Sequence, residues 1–542
     1  MYTASLTAGY PPSVREVPFA LGFTRLAING LSPKGMQPFH IADKEGNPYL
    51  SWICNGEIYN HAALEAENGF PNNSGSDCEV IGHLYKKFVE SQHTAGLQTM
   101  MRALDGVFSF VLVDHRRGII LVGRDPYGVR PLYYAQSEYR TLTCFGSELK
   151  AFPTCLSQFP EIKAFPPGHF ALLDHNKIPP ADILFQQYHQ VPFLKSPQLA
   201  ERLTAEQAVR EALVAAVEKR VLNTERPIAA LLSGGVDSSL IAALVQRSLQ
   251  TKGRPSLQTF SIGFKGSEDL RHARMVADHI KSDHHEITST PDEFFAAIPE
   301  VIAAIESYDL TTVRASVGNY LVSKYIRKHS DAKVVFNGDG SDEVFGSYLY
   351  FYRAPTDTEF EAEVTRLLTD IHAYDVLRSD RSISSNGLEP RTPFLDRQFV
   401  ATARAIPTEL LRPNMDSTNG RNRQVEKQLL RDAFAADDDA TLLPFDVLYR
   451  RKEAFSDGVS NKEKSWFQEI QERVEPLVPQ DWQLHGDTKE QAYYRIIFNQ
   501  TQAAKALGTS PNPNCQYRWL PKWSGETTDP SARTLKLYNT TN

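Results

Sequence analysis

The first third of the chain is patterned in short apolar runs of the kind that build strands. FSFVLVD (108–114) and IILVGRD (119–125) flank the charged, glycine-ended HRRG, which predicts a hairpin. PLYYA (131–135), TLTCFG (141–146) and HFALLD (169–174) extend the set. Helical spacing appears at DCEVIGHLYKKFVES (77–91) and SELKAF (147–152). Together these predict a layered α+β domain. VPFLKSPQLAERLT (191–204), with two prolines among polar residues, reads as a linker. Beyond it the period changes. AEQAVREALVAAVEKRVL (205–222) and later helix-period segments alternate with the short buried runs IAALL, LQTFSIGF and AKVVFNG, which predicts a parallel sheet with helices on both faces. From 508 onward the chain is rich in Pro, Ser and Thr and reads as an irregular tail. The predicted division is therefore 1–195, 200–507 and 508–542.

Two loops at strand ends hold the candidate chemistry. IAALL runs into SGGVDSS (233–239), and Leu240, Ile241, Leu244, Val245 and Leu249 then mark one face of a helix. A glycine-rich strand-to-helix turn at the carboxyl edge of a parallel sheet turns backbone N–H groups inward and makes an anion hole. There is no GK[ST], so it is not the loop that grips ATP for γ-phosphoryl transfer. AKVVFNG leads into Asn337-Gly338-Asp339-Gly340-Ser341-Asp342-Glu343, again past a strand. Its three carboxylates in five residues repel one another unless a cation lies among them. Asp342 suits Mg²⁺, a hard ion that takes carboxylate oxygen.

Composition narrows the class. The 542 residues are 41% hydrophobic and 23% charged, with a net charge of −7, as in ordinary globular proteins and unlike nucleic-acid binders. Cys54, Cys78, Cys144, Cys155 and Cys515 are odd in number and form no CxxC pair, which predicts a reducing, cytoplasmic setting without a disulfide framework or zinc site. The opening residues fit neither a signal nor a transit peptide, and no apolar run approaches the roughly 18 residues of a membrane span.

SGGVDSS resembles the PP-loop of ATP pyrophosphatases, which cleave ATP between its α- and β-phosphates. The resemblance implies that the amides of Ser233, Gly234, Gly235, Asp237, Ser238 and Ser239 cradle pyrophosphate, that Asp237 and Asp342 hold Mg²⁺, and that Leu232 and Ile262 flank adenine. YDLTTVRAS (308–316), GSDEVFGSY (340–348), EPRTPFLD (389–396) and RKEAFSDGV (451–459) resemble, in order, the synthetase blocks of the glutamine-dependent asparagine synthetases. That family forms β-aspartyl-AMP from aspartate and ATP and then displaces AMP with ammonia. By the resemblance Lys452 contacts phosphate, Arg314 contacts carboxylate, Asn337 and Gly338 contact the nucleotide, and Asp339 is the base. Where the family has Ser-Gly-Glu-Gly this chain has Asn337-Gly338-Asp339-Gly340, so the base reaches one methylene less.

FTRLAI (23–28), CNGEIYNH (54–61), SGSDCEV (74–80), LDGVFSF and GRDPYGVRPLYY resemble the same family's class II glutaminase domain, an Ntn-hydrolase-like αββα sandwich. Arg25 would hold the glutamine carboxylate, Asn55 and the Gly56 amide the oxyanion, and Glu57 and Asp77 the amide and α-amino groups. The family's nucleophile is an N-terminal cysteine with its own amine as base. Residue 2 here is Tyr and no cysteine precedes Cys54, which predicts an inert glutaminase and ammonia as the nitrogen donor, in a homodimer with no nucleic-acid or membrane partner; a misassigned start or a missing upstream segment is the alternative explanation. Two rivals remain: a β-lactam-synthetase-like ring closure, and a non-catalytic partner subunit.

Overall fold

A computed structural model describes residues 2–4, 19–90, 94–138, 142–152, 161–174, 183–413, 425–435, 442–453, 458–460, 464–479, 488–507 and 517–523. The remaining parts of the Pro/Ser/Thr-rich tail, 508–516 and 524–542, lie outside the described residues, as do 454–457 of the RKEAFSDGV block. The chain divides into two compact units, Met1–Gln190 with Gln502–Cys515, and Val191–Thr501 with Gln516–Asn542.

The first unit is built on β1 (Phe39–Ala42), β2 (Pro48–Ile58), helices α1 (Val80–Glu90) and α2 (Thr94–Ala103), then β3 (Gly106–Asp114) and β4 (Ile119–Arg124). It continues with β5 (Tyr133–Gln136), β6 (Thr143–Gly146), β7 (Ile162–Ala164), β8 (His169–Asp174) and β9 (Leu184–Gln187). β9-β8-β4-β3-β2-β1 form a six-stranded antiparallel sheet, and β6-β5-β7 a three-stranded one. Successive strand side chains point to opposite faces, and β4 uses both. Leu121 joins Trp52, Phe108 and the α1 residues Ile81 and Leu84 in one core, while Val122 joins Leu132, Phe165 and Ile183 in another. Residues buried on both faces explain why these strands read as near-continuous apolar runs. SELKAF, expected as a helix, forms only the 3₁₀ turn Leu149–Ala151. Six residues give too few hydrogen bonds to repay helix nucleation, and Pro153 follows at once.

The second unit opens with α3 (Arg202–Leu222), β10 (Ile228–Leu231), α4 (Val236–Thr251), β11 (Gln258–Phe264), α5 (Glu268–Ile280), β12 (Asp283–Ser289) and α6 (Pro291–Ile305). α7 (Leu310–His329), β13 (Val334–Phe336), α8 (Ser341–Phe345), α9 (Asp375–Ser384) and β14 (Glu389–Arg391) follow. The stretch expected as a linker packs as part of this unit. The Lys195 ammonium pairs with Glu361 at 2.8 Å, and the Ser196 N–H donates to the Ala405 carbonyl.

The five strands lie in the order β12-β11-β10-β13-β14, all parallel. Consecutive strands step outward from β10 to β12, and β13 then returns to the other side of β10. That reversal is a topological switch point, where ligands bind beyond the strands' carboxyl ends. Ala230 of β10 pairs in register with Phe336 of β13, so the SGGVDSS and NGDGSDE loops leave the sheet side by side. No helix among the described residues is long and apolar enough to cross a membrane.

Candidate active site

The loop after β10 is shaped by its glycines. Gly234 has φ +72°, and a Cβ there would stand 2.5 Å from the Ala273 nitrogen, so the turn needs glycine on both counts. Ser238 braces it, accepting the Ser233 N–H at 3.2 Å and meeting the Ser233 hydroxyl at 3.0 Å. α4 begins at Gly235 with no side-chain cap, which leaves its first-turn N–H groups for an anion. The Ser239 hydroxyl is buried and has no partner among the described residues.

The acidic loop presses against this turn. A Cβ on Gly338 would lie 2.8 Å from the Ser238 nitrogen. Ser341 Oγ donates to Asp237 Oδ1 at 2.8 Å, which ties the two loops together. Lys427 bridges them. Its ammonium lies 2.6 Å from Asp237 Oδ2 and 2.7 Å from Asp342 Oδ1, with the side chain 1% exposed. Its backbone is left-handed at φ +56°, a conformation non-glycine residues hold only where their surroundings impose it. Lys452 donates to the other Asp342 oxygen. Burial alone would raise the Asp342 carboxyl, but Lys427 and Lys452 hold it far below the usual carboxylate range. Burial acts against the Lys452 ammonium too, and the Asp342 carboxylate overcomes it, holding that group above the usual lysine value. Glu426, next to Lys427 in the chain, accepts the Lys452 N–H at 3.0 Å and the Arg431 guanidinium at 3.1 Å.

Asp339 lies on the other side of the loop. Arg378 of α9 donates to its Oδ1 at 3.0 Å and also to Asp375, while Asp339 Oδ2 is buried with no partner among the described residues. Asn337 Nδ2 donates to Ser379 Oγ at 2.7 Å. Burial and the carboxylates of Asp375 and Asp342 push Glu343 well above its usual range, with the Tyr348 hydroxyl donating to it at 2.5 Å.

Burial pushes Asp375 up to about 6, against the pull of Arg378 and with help from Asp339. An acid raised in the folded state binds its proton more tightly than the unfolded chain does, so its contribution to stability falls as pH climbs from about 4 to 6. Asp375→Asn lacks that slope. Its urea midpoint relative to wild type is expected to rise between pH 4.5 and 7.5, by the equivalent of about 2 kcal/mol.

Both loops line one cavity of about 280 Å³, together with Leu232, Ile262, Arg314, Tyr348, Arg378 and Lys452. Leu232 and Ile262 sit on its sheet side, at the end of β10 and within β11. Arg314 of α7 is already engaged: its Nε and one Nη meet Glu490 at 2.6 and 2.5 Å, and its guanidinium lies over the Phe467 ring. Lys427, Glu426, Asp375 and Arg378 went unremarked in the sequence. Single charged residues in ordinary helical or loop context, they carry no local signal, and only the topology brings them to the loops. Among the described residues no group of three or more His, Cys, Asp or Glu side chains converges as a metal cage.

The first unit gathers its own set. Asn55, Gly56 and Glu57 lie on β2, opposite Ser109, Phe108 and Val107 of β3. Glu57 accepts from Asn29 Nδ2 at 2.8 Å, Asp77 accepts the Ile58 N–H at 2.6 Å, and Asn55 Nδ2 donates to Ser147 Oγ at 3.3 Å. Arg25 donates to the carbonyls of Asn29 and Ser32 at 2.9 and 3.0 Å, so it shapes the loop beside Glu57. Cys54 and Cys78 are buried. A hydrogen bond with Cys54, burial and the nearby acids drive the Cys78 thiol well above its usual value, and it donates to the Gly56 carbonyl at 3.4 Å.

Comparison with known proteins fits both halves. The family described as "Asparagine synthase" matches residues 208–363 and 353–520, and "Glutamine amidotransferase domain" matches residues 23–154. The Homo sapiens protein named asparagine synthetase (glutamine-hydrolyzing) is 41% identical over 545 residues, covering 95% of this chain and 91% of its own. Its namesake from Gallus gallus is 40% identical over 544 residues, with 95% and 91% covered, and that from Rattus norvegicus 39% over 547, with 96% and 91%. An N-terminal amidotransferase domain followed by a parallel-sheet synthetase domain defines a carbon–nitrogen ligase. The chain belongs to the glutamine-hydrolysing asparagine synthetase family.

Proposed function

We propose that this protein makes L-asparagine from L-aspartate and ATP through β-aspartyl-AMP, with ammonia as nitrogen donor. One observation carries the reading: a turn of uncapped amides and the Asp342–Lys452 pair face a single cavity at the switch point of a parallel sheet. A carboxylate is a poor acyl donor because its oxygen leaves poorly. In this scheme the aspartate β-carboxylate oxygen bonds to the α-phosphorus as the bond to the β-phosphate oxygen breaks. The amides of 233–239 receive the departing pyrophosphate, Lys452 balances its charge, Asn337 and Gly338 border the nucleotide, and Leu232 and Ile262 hold adenine. Ammonia then bonds to the acyl carbon, its nitrogen loses a proton to Asp339, and the C–O bond to AMP breaks. Asp339 suits that role because it lines the cavity and Arg378 holds its Oδ1 in place. The anchor compensates for a side chain one methylene shorter than glutamate. Arg314 contacts the substrate carboxylate with its plane fixed by Glu490.

Asp237 and Asp342 already share a cation, the Lys427 ammonium, so this donor pair suits Mg²⁺. Bound there, the ion would offset the negative charge of the pyrophosphate. In the first unit Arg25, Asn55, Gly56, Glu57 and Asp77 are the proposed glutamine contacts. Two buried thiols, one of them driven up, make poor nucleophiles beside that strand, which supports ammonia as the donor.

The test is pyrophosphate release with ATP and Mg²⁺, with and without aspartate, comparing ammonium with glutamine. Aspartate-dependent release with asparagine formed from ammonium alone is the expected result. Equal rates from glutamine overturn the ammonia assignment. Release with other carboxylates but not aspartate favours ring closure, and no release with any amino acid favours a non-catalytic partner.

A further inference from the structure

Asp309 caps α7, accepting the Thr312 N–H at 3.0 Å with one oxygen and the Trp519 N–H at 3.0 Å with the other. From that end the helix runs antiparallel to β11. Ser330, just past its last turn, donates to the side chain of Gln258 at the start of β11 at 2.6 Å, and Tyr325 meets Phe260, ring centroids 6.3 Å apart. Two residues further along the strand advance about 6.6 Å, which a helix spans in about four residues, so Ile262 stands across from the turn Asn319–Val322. Leu232 comes alongside, its N–H donating to the Phe260 carbonyl at 2.8 Å. Thr311, Ala315, Asn319 and Val322 form one stripe down the helix, and all four line the cavity.

Asn319 is the exception in that stripe. It is 8% exposed, and its side-chain amide bonds to no group among the described residues, yet opens on the cavity rather than being sealed in the core. Asparagine inside a helix is less favourable than alanine, and a buried amide left unpaired costs more again. Between Ala315 and Val322 an apolar side chain would carry neither cost. The amide is therefore explained by a partner that enters the cavity. It presents an acceptor beside a donor, so phosphate or carboxylate, which only accept, would leave its oxygen unpaired. Adenine matches both halves: its exocyclic amine lies beside a ring nitrogen, a donor next to an acceptor, which asparagine meets with two hydrogen bonds. Guanine carries a carbonyl in place of that amine and would set acceptor against acceptor.

We propose that Asn319 selects the nucleotide base of the synthetase site: its Oδ1 accepts from the exocyclic amine of adenine and its Nδ2 donates to the adjacent ring nitrogen. This rests on the ATP-dependent reading above, in which Leu232 and Ile262 hold the base. Asn319→Leu keeps the volume and removes both hydrogen-bonding groups. The experiment measures, by calorimetry with Mg²⁺ and without aspartate, the binding of ATP and of purine riboside triphosphate, which is ATP lacking the exocyclic amine. Wild type is expected to bind ATP about tenfold more tightly than the analogue, and Asn319→Leu to bind the two within about twofold of each other, the loss falling on ATP. Wild type that binds neither triphosphate overturns the functional reading. A preference for ATP retained in full by Asn319→Leu overturns this inference alone, as does a wild type that binds the two equally. Should Asn319→Leu not fold, Asn319→Ser, whose side chain is too short to reach both groups, is read in the same way.

Discussion

Lys452→Met is expected to lower aspartate-dependent pyrophosphate release about a thousandfold, with little change in the fold. Its ammonium is a principal countercharge of Asp342, and together with Lys427 it keeps that carboxylate ionised inside the protein. Under the proposed function phosphate charge develops beside this ammonium, and removing one preorganised charge from such a site costs roughly 2.7–4 kcal/mol of barrier. Methionine keeps the length and the apolar stem, so the loss falls on charge rather than packing. Single-turnover pyrophosphate release, measured beside nucleotide binding, checks it: binding that weakens in proportion to rate would show uniform loss of affinity instead.

Glu490→Ala is expected to act on stability more strongly than any surface change. Arg314 is 4% exposed and Glu490 fully buried, and the carboxylate also accepts from the Tyr494 hydroxyl at 2.8 Å. Deleting one member of a buried pair leaves the other charge without its counterion, which costs about 3–5 kcal/mol. A fall in the urea midpoint that Glu490→Gln only partly reproduces is the expected pattern, since glutamine keeps one acceptor but not the charge. An unchanged midpoint in both variants would show that Arg314 finds another partner.

Both cavity-lining loops were readable from the residues because each is contiguous and follows an apolar strand. SGGVDSS and NGDGSDE announce themselves by glycine, hydroxyl and carboxylate packed into a few positions. What escaped was assembled across distance. Lys427 reaches Asp237 across 190 positions and Glu490 reaches Arg314 across 176, so no window of sequence holds either pair. Trp519, which lines the cavity, escaped for a different reason: a Pro- and Ser-rich composition describes backbone regularity and says nothing of aromatic side chains docked by their neighbours. The expected helix at SELKAF shows the opposite failure, apolar spacing without the length to sustain it.

Asp309 ends up serving two masters with its two oxygens, one at the start of a helix and the other on a stretch of chain more than two hundred positions downstream. Shortening the protein ahead of Tyr517 would therefore do more than shed a loose end. It would release one side of a shared anchor and loosen the cavity from behind, so a version cut for convenience is the wrong one to assay.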